Sequence, residues 1–134
     1  MAAIRLGFAV ANPVLTNVLR AVKSPYNVNT ITQEIGAVIL SEKKLYQEAL
    51  TNILNSKKAL YASMKDLEMQ HSGSMKVFES CTNFVLVKLE HAKEIHQKLL
   101  SRGIAVRLLG NYLRVTAGSA EENEDFLAHF KELL

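Results

Sequence analysis

An α+β fold is predicted by three features of the sequence. Helix-period apolar patterns fill most of the first seventy residues, short runs of β-branched and aromatic residues begin only after Gly73, and two more helical segments interrupt and follow those runs. The arrangement expected is helices packed on a small, mainly antiparallel sheet, preceded by one strand and further helices. A chain of 134 residues, 49% hydrophobic and 22% charged, is long enough for one domain with its own core. That composition excludes a disordered tail, a disulfide-stapled miniprotein and a multidomain machine.

Residues 4–11 form a short, almost wholly apolar run ending in Asn12-Pro13, a helix cap followed by proline at the first helical position. The run is expected to be a buried strand leading into a helix. From Pro13 to Val22 the side chains Val14, Leu15, Val18, Leu19 and Val22 recur at spacings of three and four, which marks one helical face. Ser24-Pro25-Tyr26-Asn27 breaks that helix. Thr30 with Gln33 reads as a capping box for a second one, with Ile31, Ile35, Val38 and Ile39 turned inward. Ser41 is the candidate cap of a third, long helix carrying Leu45, Ala49, Ile53, Leu60, Met64 and Leu67 on one side and ending at His71-Ser72-Gly73-Ser74.

Residues 76–78 and 83–87 read as strands, and a helix over 92–102 should bury Ile95, Leu99 and Leu100 before Gly103 stops it. Residues 104–109 and 112–117 are two strands separated by Gly110-Asn111, a pair suited to a two-residue hairpin loop with glycine first. That loop fixes the register. Leu109 faces Tyr112, Arg107 faces Arg114 and Ala105 faces Thr116, while Ile104, Val106, Leu108, Leu113, Val115 and Ala117 share the core face. Ser119 with Glu122 caps a terminal helix whose inner side chains are Phe126, Leu127, Phe130, Leu133 and Leu134.

Sixteen Lys and Arg against thirteen Asp and Glu leave a formal charge of +3, too small and dispersed to argue for nucleic acid or an anionic membrane as partner. No apolar run approaches the roughly 18 residues of a membrane helix, and the N-terminus lacks the pattern of a secretory signal. A soluble, cytoplasmic protein is expected. Lone Cys81 offers neither a disulfide nor a zinc site, and is read as a buried or half-buried structural thiol. His71, His91, His96 and His129 are scattered and read as surface residues; His91 and His96 are five apart, off the spacing that puts two metal ligands on one helical face, so no metal site is expected.

Two patterns carry chemistry. Arg107 and Arg114, opposite each other across a strand pair, repel by a few tenths of a kcal/mol or more, and an anion between them would reverse that sign. With Thr116 and Tyr112 nearby they form a candidate anion site, the alternative being a solvated outer face. Arg5 is a charge inside an apolar run with no acid beside it, so its partner lies elsewhere or is a ligand.

The stretches Ala2-Ala3-Ile4-Arg5-Leu6-Gly7-Phe8, Ser24-Pro25-Tyr26-Asn27-Val28-Asn29, Ser80-Cys81-Thr82-Asn83-Phe84, Gly103-Ile104-Ala105-Val106-Arg107 and Tyr112-Leu113-Arg114-Val115-Thr116-Ala117-Gly118 resemble, in this order, the C-terminal part of histidinol-phosphate aminotransferases. The resemblance spans nearly the whole chain. It implies the C-terminal small domain of a fold-type I, pyridoxal-phosphate-dependent homodimer that exchanges an amino group between histidinol phosphate and 2-oxoglutarate in histidine biosynthesis. Residues 1–40 would be a remnant of the large cofactor-binding domain, a strand plus two helices, and residues 41–134 the small domain with a long connecting helix. The arginine of the family's Ala-Gly-x-Arg-x-Gly stretch, which binds the cofactor phosphate, falls on Arg5, with Ala3 where glycine is common. The arginines of Gly-Ile-x-x-Arg and Leu-Arg-x-Thr, which bind the anionic end of the substrate, fall on Arg107 and Arg114.

The family's Schiff-base lysine lies in a Ser-Lys segment just upstream of the phosphate-binding arginine, and no lysine precedes Arg5 here. By the resemblance, that lysine is expected upstream of Met1. A truncated aminotransferase is therefore implied, with no catalytic residue of its own, inactive alone and not holding pyridoxal phosphate covalently. Residues 4–11, without their sheet neighbours, are expected to be disordered, repacked or paired with a second copy. The implied partner is a small phosphorylated amino alcohol or amino acid. Two other readings stand beside this one: a fragment of a sister enzyme, threonine-phosphate decarboxylase or an aromatic aminotransferase, and a non-catalytic ferredoxin-like regulatory module binding a small anion.

Overall fold

Side-chain caps start the first two helices. In the computed structural model, which describes residues 4–134, Asn12 Oδ1 accepts the Leu15 N–H at 2.9 Å to open α1 (Pro13–Val22), and Asn29 Oδ1 accepts the Thr32 N–H at 2.8 Å to open α2 (Thr30–Ser41). Met1, before which the reactive lysine is expected, lies outside the described residues, as do Ala2 and Ala3 of the first motif. The remaining elements are α3 (Lys43–Gln70), β1 (Met75–Phe78), β2 (Phe84–Leu89), α4 (Ala92–Ser101), β3 (Arg107–Leu109), β4 (Tyr112–Thr116) and α5 (Ala120–Lys131). The α+β class is as expected. The chain divides into two compact units between Glu48 and Ala49.

The first unit departs from its sequence reading in several ways. Residues 4–12 contain no strand: residues 4 and 5 form a turn and 6–12 are irregular, with Ile4 C=O accepting from Thr32 Oγ1 at 3.4 Å. A strand needs a neighbour to take its backbone hydrogen bonds, and among the described residues of this unit none exists. Asn29, not Thr30, caps α2, while the Gln33 side chain donates to the Val28 carbonyl at 3.0 Å. Ser41 caps nothing; it is the last residue of α2, and its hydroxyl donates to the Val38 carbonyl at 2.7 Å. The α2 face that is buried carries Thr32 and Gly36 rather than the isoleucines, because Leu6 lies so close to Gly36 that a Cβ there would run into it. Ile31 is 72% exposed and Val14 of α1 76%, so the apolar stripes read from the sequence are helical but uncovered.

In the second unit the patterns are buried. The strands form one antiparallel sheet in the order β1-β2-β4-β3. One face sends Met75, Val77, Val85, Val87, Leu89, Leu113 and Val115 into a core closed by Leu60, Met64 and Leu67 of α3, Ala92, Ile95 and Leu99 of α4, and Phe126 and Phe130 of α5. Phe126 and Phe130 stack with ring centroids 5.1 Å apart. Burying each such side chain contributes about 1.5–3 kcal/mol. The α3 core stripe begins only at Leu60, since Leu45, Ala49 and Ile53 are exposed, and Leu100 is 55% exposed rather than buried. Gly103 ends α4 with φ +82°, and Gly110 opens the hairpin loop with φ +58°, both conformations that side chains disfavour. The Ser119–Glu122 capping box is present in both directions.

Polar contacts close the margins of this unit. Ser56 of α3 donates to the Gly118 carbonyl and accepts from Asn123 Nδ2 at 2.8 Å, while Asn123 Oδ1 accepts the Gly118 N–H at 3.0 Å. Beside edge strand β1, the Glu68 carboxylate accepts a hydrogen bond from Lys65, which holds its pKa below the ordinary value and raises that of Lys65. Among the described residues no helix is long and apolar enough to cross a membrane.

These contacts can be tested by denaturation. Asn123→Ala should lower stability by about 1–3 kcal/mol, seen as a lower urea midpoint, because it orphans the Gly118 N–H and removes the donor to the Ser56 hydroxyl oxygen. A carboxyl whose pKa is lowered on folding stabilises above its unfolded pKa and stops doing so as pH falls through the folded value. The urea midpoint of the wild type should therefore fall below pH 4.5 by more than that of Glu68→Gln.

Candidate functional site

The hairpin builds the site. Its two-residue loop sets Arg107 opposite Arg114 and Leu109 opposite Tyr112, the register expected. Ala105 does not pair with Thr116, because β3 starts at Arg107; instead the Val106 carbonyl accepts a hydrogen bond from His96 Nε2 of α4 at 3.2 Å. His96 is thus a half-buried structural residue, as is His129, whose Nδ1 lies 2.9 Å from the Asp125 carbonyl oxygen and 3.3 Å from its carboxylate.

Alternation places both arginines on the sheet face away from the core. The strand residues of that face include four cations, Lys76, Lys88, Arg107 and Arg114, and no carboxylate. Lys76 faces Lys88 just as Arg107 faces Arg114. Neither arginine has an ion pair among the described residues. Arg107 is exposed; Arg114 is half-buried, with Cζ 5.1 Å from the centroid of the Phe84 ring and with an Nε closed to solvent that finds no acceptor.

Both arginines border a cavity of about 810 Å³ whose wall also includes Thr116, Glu122 and Asp125. The two acids are already engaged. Glu122 accepts the Ser119 N–H at 2.7 Å in the capping box, and Asp125 sits against His129. The cations of this cavity are therefore the groups left with capacity for a ligand, and the ligand they suit is an anion with two acceptor oxygens.

Arg5 is not in a strand. It is exposed, sits in a turn of the first unit with φ +57°, and has no ion pair among the described residues, so burial does not force a partner on it. Cys81 is exposed rather than buried, in the loop between β1 and β2. Among the described residues no cluster of His, Cys, Asp and Glu could hold a metal. Phe84, Ser56 and Asn123 escaped the sequence reading. Of these only Phe84 gave a signal, through its motif.

The family model for aminotransferase class I and II matches residues 1–130. The chain belongs to this family. It is 38% identical over 139 aligned positions to histidinol-phosphate aminotransferase 1 of Carboxydothermus hydrogenoformans, covering all of this chain and 38% of that protein. The chain thus spans under two fifths of the curated relative. Its fold matches the histidinol-phosphate aminotransferase of Clostridium acetobutylicum with a TM-score of 0.71 at 22% identity, over 91% of this chain and 38% of that one. It also matches L-threonine-O-3-phosphate decarboxylase of Porphyromonas gingivalis with a TM-score of 0.63 at 21% identity, over 92% and 40%. A family match that includes Arg5 and the loop over 24–29 argues for an aminotransferase part and against a stand-alone regulatory module.

Like-charge pairing gives a test that needs no substrate. At low salt Arg107→Thr should leave stability unchanged or raise it by a few tenths of a kcal/mol, by removing repulsion. Phosphate should raise the melting temperature of the wild type and raise that of Arg107→Thr less, as followed by thermal denaturation with and without the ion.

Proposed function

We propose that this chain is the C-terminal, substrate-binding part of a pyridoxal-phosphate-dependent transaminase, one that moves an amino group between histidinol phosphate and 2-oxoglutarate in cytoplasmic histidine biosynthesis. The observation that carries the reading is the Arg107–Arg114 pair, two cations set opposite each other on a hairpin with no carboxylate on the strands of their sheet face. A phosphate monoester and a dicarboxylate each bring the anionic group that such a pair lacks. The 38% identity over the full chain to a protein named for histidinol phosphate favours that substrate over an aromatic amino acid or over threonine phosphate, whose decarboxylase shares the fold.

In this reading residues 1–40 belong to the large domain of the parent enzyme and residues 41–134 to the small one. The exposed apolar side chains of α1 and α2 support it, as surface for polypeptide that the curated relative has beyond the length matched here. The parent enzyme is a homodimer. Bound pyridoxal phosphate supplies the electron-withdrawing ring of the reaction. Arg5 fits its phosphate, since an exposed guanidinium without an ion pair among the described residues is open to a phosphate oxygen. Arg107 and Arg114 hold the distal anion of the substrate and so fix where its amino-bearing carbon lies. Lys57, the lysine that follows a serine, is engaged by the Ser80 carbonyl at 2.5 Å, and the reactive lysine is supplied by polypeptide of the parent upstream of the position of Met1.

Two measurements test this. The 134-residue chain mixed with pyridoxal phosphate and reduced with borohydride should trap no single lysine; specific labelling of one lysine would contradict it. Grafted in place of the matching stretch of the Carboxydothermus hydrogenoformans enzyme, the chain should support transamination of histidinol phosphate. Arg114→Ala in that chimera should lower kcat/KM about ten- to a hundredfold, the worth of a charge-assisted hydrogen bond. A chimera that binds the cofactor but turns over threonine phosphate or an aromatic amino acid instead would transfer the reading to a sister enzyme.

A further inference from the structure

Phe84 opens β2 and faces Thr116 on β4, while Arg114 sits two residues back on β4 opposite Leu86. The two side chains are diagonal neighbours on the outer sheet face, within reach of a ring and a long cation. The guanidinium carbon lies 5.1 Å from the ring centroid, inside the range of cation–π attraction. The same arginine keeps its Nε out of water without an acceptor, although Arg107 directly across the hairpin is exposed to solvent. An unsatisfied N–H favours rotation of the side chain outward, so something must hold it in place, and the Phe84 ring is the group positioned to do so.

The backbone that carries the ring is itself held. The Asn83 carbonyl, one residue before it, accepts the Ala117 N–H at 2.9 Å, and Lys57 of α3 donates to Ser80 at the start of the same loop. With one face of the guanidinium covered and Nε closed, the terminal nitrogens are the edge left to meet a ligand.

We infer that Phe84 is a positioning residue of the anion site: its ring fixes the plane of the Arg114 guanidinium, so that the terminal nitrogens meet an anionic group with two oxygens end-on. This rests on the reading of Arg114 as an anion-binding residue. Phe84 contacts Arg114 and acts through it; a merely space-filling Phe84 could be replaced by leucine without consequence for Arg114.

The test uses the whole 134-residue chain, labelled with ¹⁵N, and inorganic phosphate as the probe. The Arg114 Nε–Hε resonance should lie away from those of exposed arginines, moved by the ring current, and should exchange slowly with water. In Phe84→Leu it should join the exposed set while the backbone resonances of Val85, Val87, Leu113 and Val115 stay in place, and Phe84→Tyr should restore it. Phosphate should bind Phe84→Leu roughly two- to fivefold more weakly than the wild type, the range expected for loss of a partly exposed cation–π contact. An unshifted, fast-exchanging Arg114 resonance in the wild type, or equal phosphate affinity in Phe84→Leu, overturns the positioning role. A shifted Arg114 resonance that phosphate leaves untouched up to high millimolar concentration overturns instead the anion-site reading beneath it.

Discussion

The end of the sheet where Phe84 and Thr116 meet is held by two consecutive residues of one helix. Ser56 bonds the Gly118 carbonyl and Lys57 the Ser80 carbonyl, so α3 grips the loop leaving β4 and the loop entering β2 at once. Asn123 of α5 completes the grip by bonding both Ser56 and the Gly118 backbone. Three of these four contacts satisfy a backbone group that the end of a strand would otherwise leave open. The outer face inherits its geometry from them: the ladder between β2 and β4 fixes how far the Phe84 ring lies from Arg114, and the hairpin fixes how far Arg114 lies from Arg107.

The two units show what an apolar pattern does and does not say. Leu60, Met64 and Leu67 lie on a helical period and are buried; Val14, Val18 and Val22 lie on one too and are exposed. Periodicity reports the conformation of a segment and the face it would bury, not whether a covering surface is present. The family relation gives the difference a physical sense, because the curated relative has far more chain than these 134 residues from which a cover could come.

Local chemistry is legible in the sequence. Gly110-Asn111 determines the hairpin register, hence the arginine pair, because two loop residues leave the strands one way to face each other; Ser119 and Glu122 determine the start of α5 for the same reason of short range. The α2 cap falls one residue from its expected place because Asn29 and Thr30 are both good caps and only the backbone chooses between them. Residues 4–11 read as a strand because a strand's identity lies in its neighbours as much as in itself. Cys81 is exposed because it lies in the loop between β1 and β2, a placement that hydrophobicity alone does not reveal. The Ser56–Asn123 and Phe84–Arg114 contacts join residues far apart in sequence and leave no spacing to read.

That separation in sequence gives the two contacts of the outer face unequal loop closures. The hairpin that brings the arginines together closes a loop of two residues and forms on the microsecond scale of such turns. Phe84 reaches it only with α4 folded back and β2 docked, a contact of far longer loop closure. The turn that sets the two like charges against each other is thus closed within the hairpin, whereas the ring that restrains one of them comes from a distant part of the chain and costs more chain entropy to bring there.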